Sequence, residues 1–290
     1  MSASGSIVWP SPAEPLWRFN WILADSPDEE GIVISSAFYR GHQVFHKASL
    51  PSLRIQYDGP CGPYKDPLNY NNTEPTSRCP SARVCTYSYV SGGVRGLGVE
   101  SYHKIGKYKL THRWVFWENG QVYPRLYSSG LQCPYNHRHH AYWRFDFDVD
   151  GAGNDLVLEY NTYTPNIGWG LGWEPLTTET SRIKNPSSGR RWAVLDKSTA
   201  RGYLIYPGAN DGSVDGFSNR DLWLLSYQSA EDKHGRQGSA YSDDLQPYVS
   251  GENVGGKDLV VWYCGHLSHL AAGGGDEWHA VGPNLFPFGY

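Results

Sequence analysis

The sequence predicts an all-β fold in a single domain spanning residues 1–290. Three observations lead there. Glycine (33) and proline (19) are frequent and punctuate the chain every few residues. Between them lie short runs rich in Trp (12), Tyr (21) and β-branched residues, the side chains that suit a pleated, half-buried surface. No segment repeats apolar residues at the 3.6-residue period of an amphipathic helix, and no repeat or linker divides the chain.

The strands follow in order. Trp17 to Trp21 and Gly31 to Tyr39 flank an acidic turn, Asp25 to Glu30. Val44 to Leu53 and Leu53 to Tyr57 come next, then a Pro-, Gly- and Asn-rich loop over 58–83 whose length suggests function. Val84 to Val90, Gly98 to His103 and Tyr108 to Trp117 read as strands. Asn119-Gly120 makes the hairpin to Gln121–Tyr127, because this dipeptide tolerates positive φ. His139 to Val149 ends at Asp150-Gly151, and Asp155 to Tyr163 follows. Arg190 to Lys197, Gly202 to Tyr206, Leu222 to Tyr227 and Leu259 to Cys264 complete the set, each bounded by turn residues.

Charge and hydropathy exclude some functions. With 25 Lys+Arg against 29 Asp+Glu, the net charge is -4, and no basic stripe offers a nucleic acid a track. No apolar run approaches the ~18 residues of a membrane helix. Met1 to Ser6 lacks the basic start and apolar core of a secretory leader, so a cytoplasmic location is expected. The cysteines are Cys61, Cys79, Cys85, Cys133 and Cys264. Cys79 and Cys85 flank a short turn and could close a local disulfide; five reduced thiols are the favoured expectation for a cytoplasmic protein.

Histidines carry the chemistry. His137 and His139 form a His-x-His pair entering a strand, where alternation puts both imidazoles on one face. With His269, after the apolar strand Leu259–Tyr263, they make a set suited to copper or zinc, against the alternative of solvated loop histidines. His140 and His266 are neighbours that either support the ligands or sit on the surface. Asp146 to Gly151 starts like a calcium loop, but its twelfth position is Val157 where a bidentate Glu is needed, so the helix-loop-helix site fails.

These segments resemble the catalytic domain of the copper amine oxidases. His137-Arg138-His139 through Arg144, Asp146 and Asp150-Gly151 is similar to that family's His-x-His segment, and Asp258 through Trp262, Gly265 and His269 to the strand carrying its third copper histidine. Asn219 to Trp223 and Trp17 to Pro60 extend the likeness over nearly the whole chain, with several deletions. The resemblance implies a large antiparallel β-sandwich of the amine oxidase type (a supersandwich) without the family's N-terminal α/β domains, and a homodimer. It implies copper on His137, His139 and His269, and a second cation, calcium or manganese, on Asp146 and Asp258 with the carbonyls of Phe147 and Leu259. A salt bridge between Asp146 and Arg144 is the alternative for that pair.

The family oxidises a tyrosine beside its copper to topaquinone. Residues 105–110 fall at that motif, so Tyr108 is the quinone precursor by resemblance, or an unmodified core phenol. Lys104, Lys107, Lys109 and Leu110 depart from the family's pattern, and strand alternation puts Lys107 and Lys109 opposite Tyr108. Tyr64-Lys65-Asp66 resembles the segment of the catalytic base, which makes Asp66 the base and Tyr64 the channel gate; Asp58 is the fallback, and Asp66 before Pro67 is otherwise a turn residue. Tyr57 matches the tyrosine that hydrogen-bonds the quinone. The implied function is a copper-dependent oxidoreductase that deaminates a small primary amine with O2. The alternatives are a copper enzyme without topaquinone in a specialised biosynthetic pathway, and a non-catalytic copper-binding relic.

Overall fold

Two antiparallel sheets stack face to face in the computed structural model, which describes residues 1–25, 29–231, 245–273 and 277–290. The first sheet runs β1 (Ser2–Pro10), β2 (Pro15–Ala24), β3 (Ile32–Tyr39), β4 (His42–Tyr57), β10 (His137–Phe147), β17 (Leu259–His269), β16 (Leu222–Ser226) and β13 (Thr180–Arg182), with β5 (Tyr64–Lys65) added to β4. The second runs β12 (Trp173–Leu176), β11 (Asp155–Tyr160), β14 (Arg191–Asp196), β15 (Gly202–Tyr206), β19 (Asn284–Phe288), β9 (Val122–Ser129), β8 (Tyr108–Trp117), β7 (Val94–Ile105) and β6 (Cys85–Ser91), with β18 (His279–Val281) added to β9. Among the described residues there is no α-helix, and no helix is long and apolar enough to cross a membrane.

Aromatic side chains fill the space between the sheets. Trp17 and Phe19 of β2 meet Phe116 of β8, Phe45 of β4 meets Tyr203 of β15, and Trp143 of β10 crosses Trp114 of β8 edge to face at 5.6 Å. Such rings each bury about 150–250 Å² and dominate core energetics. Their polar edges stitch the layers together. The Trp17 indole donates to the Trp117 carbonyl at 2.8 Å, and the Trp114 indole to the Ile32 carbonyl at 2.9 Å. Gly31 takes φ +65° where any Cβ would collide with His112, whose Nδ1 accepts the Ile32 N–H at 3.0 Å.

The alternating and aromatic runs became strands nearly as the sequence indicates, with instructive differences. Val44–Leu53 and Leu53–Tyr57 are one continuous strand, β4. Strand β17 runs past Cys264 to His269, where residues 265–269 pair with 137–141 of β10, and Gly265 leaves room for Val281 of β18. Strand β1 has no sequence counterpart: its burial alternates on a sheet edge, but the first inward positions are the small residues Ala3 and Gly5, so the alternation left little trace in hydropathy. The acidic turn Asp25–Glu30 falls partly outside the described residues, at 26–28.

The expectation of five reduced thiols is overturned. Cys61 pairs with Cys133 and Cys79 with Cys85, with Cys264 outside both disulfides. Cys61 and Cys133 stand 72 residues apart in sequence, so only the folded loops reveal that they meet. The cysteines therefore give the cytoplasmic expectation no support.

Trp143→Ala should cost about 3–5 kcal/mol in urea denaturation, since it empties a fully buried site between Trp114 and His112. A loss below about 1 kcal/mol would show that the layers do not depend on this contact.

Candidate metal centre

Strand β10 lies between β4 and β17, and its register with both assembles the site. His137 sits opposite His269 of β17 on one side and Tyr57 of β4 on the other. Alternation then turns His137, His139, Ala141, Trp143, Phe145 and Phe147 toward the second sheet and His140, Tyr142 and Arg144 away from it.

His137, His139 and His269 converge there, with one ligand nitrogen of each within 4.8 Å of the others. The Nε2 atoms of His137 and His139 are 3.0 Å apart. All three rings are buried; Nδ1 of His139 has no hydrogen-bond partner, and His137 and His269 have at most a loose contact each, to the backbone of Tyr135 and of Ser128. Burial pushes His137 and His269 down to about 4 and holds His139 well below the ordinary imidazole value, where the neighbouring histidines depress it further. At neutral pH the three rings are uncharged, as metal ligands must be. Three neutral imidazoles around one point fit copper or zinc.

Tyr108 opens β8 in the facing sheet, and its ring lies 5.6 Å from His137 and 5.0 Å from His139. Its hydroxyl hydrogen-bonds that of Tyr57, whose ring stacks on His137 at 4.6 Å. The Gln132 N–H donates to the Tyr57 hydroxyl at 3.2 Å. Burial, then the Tyr57 contact, raises the Tyr108 phenol far above its ordinary value, so it stays protonated. Lys104, Lys107 and Lys109 are all exposed, and Lys104 faces Glu74. The three ammonium groups therefore leave the site's electrostatics to neutral groups.

Asp66, Tyr64, Ile105, Tyr108 and Gln132 line a pocket of about 250 Å³. Asp66 is buried, its Oδ2 has no hydrogen-bond partner, and burial raises it to about 8. Tyr64 is 37% exposed at the mouth, edge-on to Tyr57. Asp58, by contrast, is exposed at the end of β4.

Asp146 and Asp258 lie close together, joined by Asp148. Burial and the other two carboxylates raise Asp148 to about 6, the signature of crowded negative charge that a hard cation would relieve. Arg144 reaches Asp146 at 3.1 Å, so the salt bridge forms as well. His140 and His266, read as supporting or surface residues, are fully buried. Sequence reasoning missed His279, 4.4 Å from His269 and brought there by β18, and Gln132, because both approach from segments with no metal-binding pattern.

Neither a protein-family model nor a curated protein matches the chain. Its fold is that of solved copper amine oxidases. A copper-containing benzylamine oxidase from Hansenula polymorpha superposes with TM-score 0.74 at 15% identity, over 94% of this chain and 59% of that one. An amine oxidase from Aspergillus nidulans gives 0.76 at 15% identity, over 95% and 51%. The lysyl oxidase of Pichia pastoris gives 0.73 at 16% identity, over 95% and 51%. The chain thus spans only 51–59% of the length of these relatives in fold.

Because Asp66 holds its proton to about pH 8 when folded and loses it near 4 when unfolded, stability falls as pH rises between those values. Asp66→Asn should remove that slope: its melting temperature should gain on the wild type by roughly several degrees between about pH 5 and pH 8. An equal difference at both pH values would mean that Asp66 is not buried as the neutral acid.

Proposed function

We propose that the protein is a copper-dependent oxidoreductase acting with O2 on a small primary amine. The observation that carries this reading is the trio of buried, neutral imidazoles next to the buried phenol of Tyr108. His137, His139 and His269 would hold the copper. Bound there, copper supplies one-electron chemistry with O2 and the means to oxidise the neighbouring phenol to topaquinone.

The chain's own groups have separate tasks. Tyr57 fixes the Tyr108 ring through its hydroxyl contact and is itself fixed by stacking on His137. Asp66 shares the pocket with Tyr108, and as carboxylate its free Oδ2 can receive the proton from the substrate's α-carbon. Its raised value puts the base form in increasing supply toward pH 8. Tyr64 stands where an entering amine passes. The pocket, at about 250 Å³, suits a small substrate. The cluster of Asp146, Asp148 and Asp258 belongs to the same proposal as a calcium or manganese site, and so does a homodimer.

Aerobic loading with copper should leave the Tyr108 peptide heavier by two oxygens and lighter by two hydrogens, with a redox-active quinone stain; Tyr108→Phe should lack both. His137→Ala and His269→Ala should each lower amine turnover by more than a hundredfold, since losing even an outer partner of a metal ligand costs about 10–100-fold. An unmodified Tyr108 in copper-loaded protein would replace this reading with a copper oxidation that keeps the phenol. Turnover that survives loss of either histidine would remove the metal from the reaction.

A further inference from the structure

We infer that His140, Cys264 and His266 form a second metal site, on the outer face of the same two strands, built for zinc. The strand pairing puts these donors together. His140 of β10 lies directly opposite His266 of β17, and Cys264 lies opposite Tyr142 one same-face step along, diagonal to His140. All three are fully buried, with a ligand atom of each within 4.8 Å of the others. The two Nδ1 atoms are 2.8 Å apart, and Cys264 Sγ is 3.8 Å from His266 Nδ1. A tetrahedral zinc with bonds of about 2.0–2.1 Å to nitrogen and 2.3 Å to sulfur needs separations of about 3.3 and 3.6 Å. The nitrogens must part by about half an ångström and the sulfur close by a few tenths, within the reach of side-chain torsions.

The far side of each ring faces a carboxylate. His140 Nε2 faces Asp215 at 3.4 Å, and His266 Nε2 faces Asp221 at 3.3 Å. Both carboxylates are anchored: Asp215 accepts the N–H groups of Phe217 and Ser218 and pairs with Arg138 at 3.0 Å, and Asp221 accepts the Lys184 N–H and pairs with its ammonium at 3.1 Å. A carboxylate on the far side of each imidazole favours the proton on Nε2 and leaves Nδ1 facing inward. At 2.8 Å the two Nδ1 atoms hydrogen-bond through a proton between them. Zinc takes the place of that proton and also engages the thiol; both protons pass to solvent as the Zn–N and Zn–S bonds form, and no electron is transferred. A soft thiolate with two imidazoles favours zinc over hard cations. Ser218 Oγ, 3.6 Å from the sulfur, or a water can take the fourth position. The donors are distinct from the inward trio, so the inference stands apart from the copper reading.

Cobalt(II) titration of the metal-stripped full chain tests it. Cys264 is the one cysteine outside the two disulfides, so a thiolate-to-cobalt charge-transfer band can arise only there. We expect that band, saturating at one cobalt per chain, abolished by equimolar zinc, retained in His269→Ala and lost in Cys264→Ser. Absence of the band from folded wild-type protein, as a proton shared between the imidazoles would give, overturns the inference, as does its persistence in Cys264→Ser. Should Cys264→Ser fail to fold, X-ray absorption of the zinc-loaded wild type decides: a sulfur neighbour at about 2.3 Å supports the site, and a shell of nitrogen and oxygen alone rejects it.

Discussion

The register of β10 against β4 and β17 is the constraint on which the rest depends. It sets His137 opposite both His269 and Tyr57, and His140 opposite His266. Strand side chains alternate with a period of two, so a one-residue slip would exchange the faces of β10, sending His140 inward and His137 and His139 out. The register is held by what alternation buries. Ala141, Trp143, Phe145 and Phe147 point into the inter-sheet core, while Tyr142 packs with Trp223, Trp262 and Cys264 on the other face. A strand buried on both faces, paired on both edges, has no cheap alternative position.

Burial then decides the chemistry of each polar group. The inward histidines lose solvent and form no ion pair with a carboxylate among the described residues, so they stay neutral. The outward pair is equally buried but backed by Asp215 and Asp221, which orients its rings. Asp66, buried without a cation, behaves as an acid near neutrality, whereas Asp150, paired with Arg201 and His42 near the surface, is held below the ordinary carboxylate range despite the opposing effect of its partial burial. The same residue type takes opposite roles because solvent and counter-charge differ.

The likeness in fold to copper amine oxidases at 15–17% identity has a physical basis. A sandwich of this kind requires alternation, turn residues and large apolar side chains facing between the sheets, and many sequences meet those needs. Two of the residues that depart from the amine oxidase motif beside Tyr108, Lys107 and Lys109, sit on the exposed face of β8 and its turn. The sheet tolerates them because they share neither the core nor the face that bears the histidines.

The sequence alone determined the all-β class, the limits of Tyr108–Trp117 and Gly202–Tyr206, and the shared face of His137 and His139, since these follow from local alternation and turn chemistry. It also singled out His269, Asp66 and Tyr57 through resemblance. It left β1 unseen, because the first inward positions of that edge strand are small residues that give its alternation little hydropathy contrast, and stopped β17 at Cys264, five residues short of the histidine that matters. Tertiary structure decided the rest: the Cys61–Cys133 pairing, the arrival of His279 and Asp148 at their clusters, and the burial of His140 and His266 against Asp215 and Asp221. Each joins segments far apart in the chain, and such meetings are fixed by strand order and sheet stacking, which no local pattern encodes.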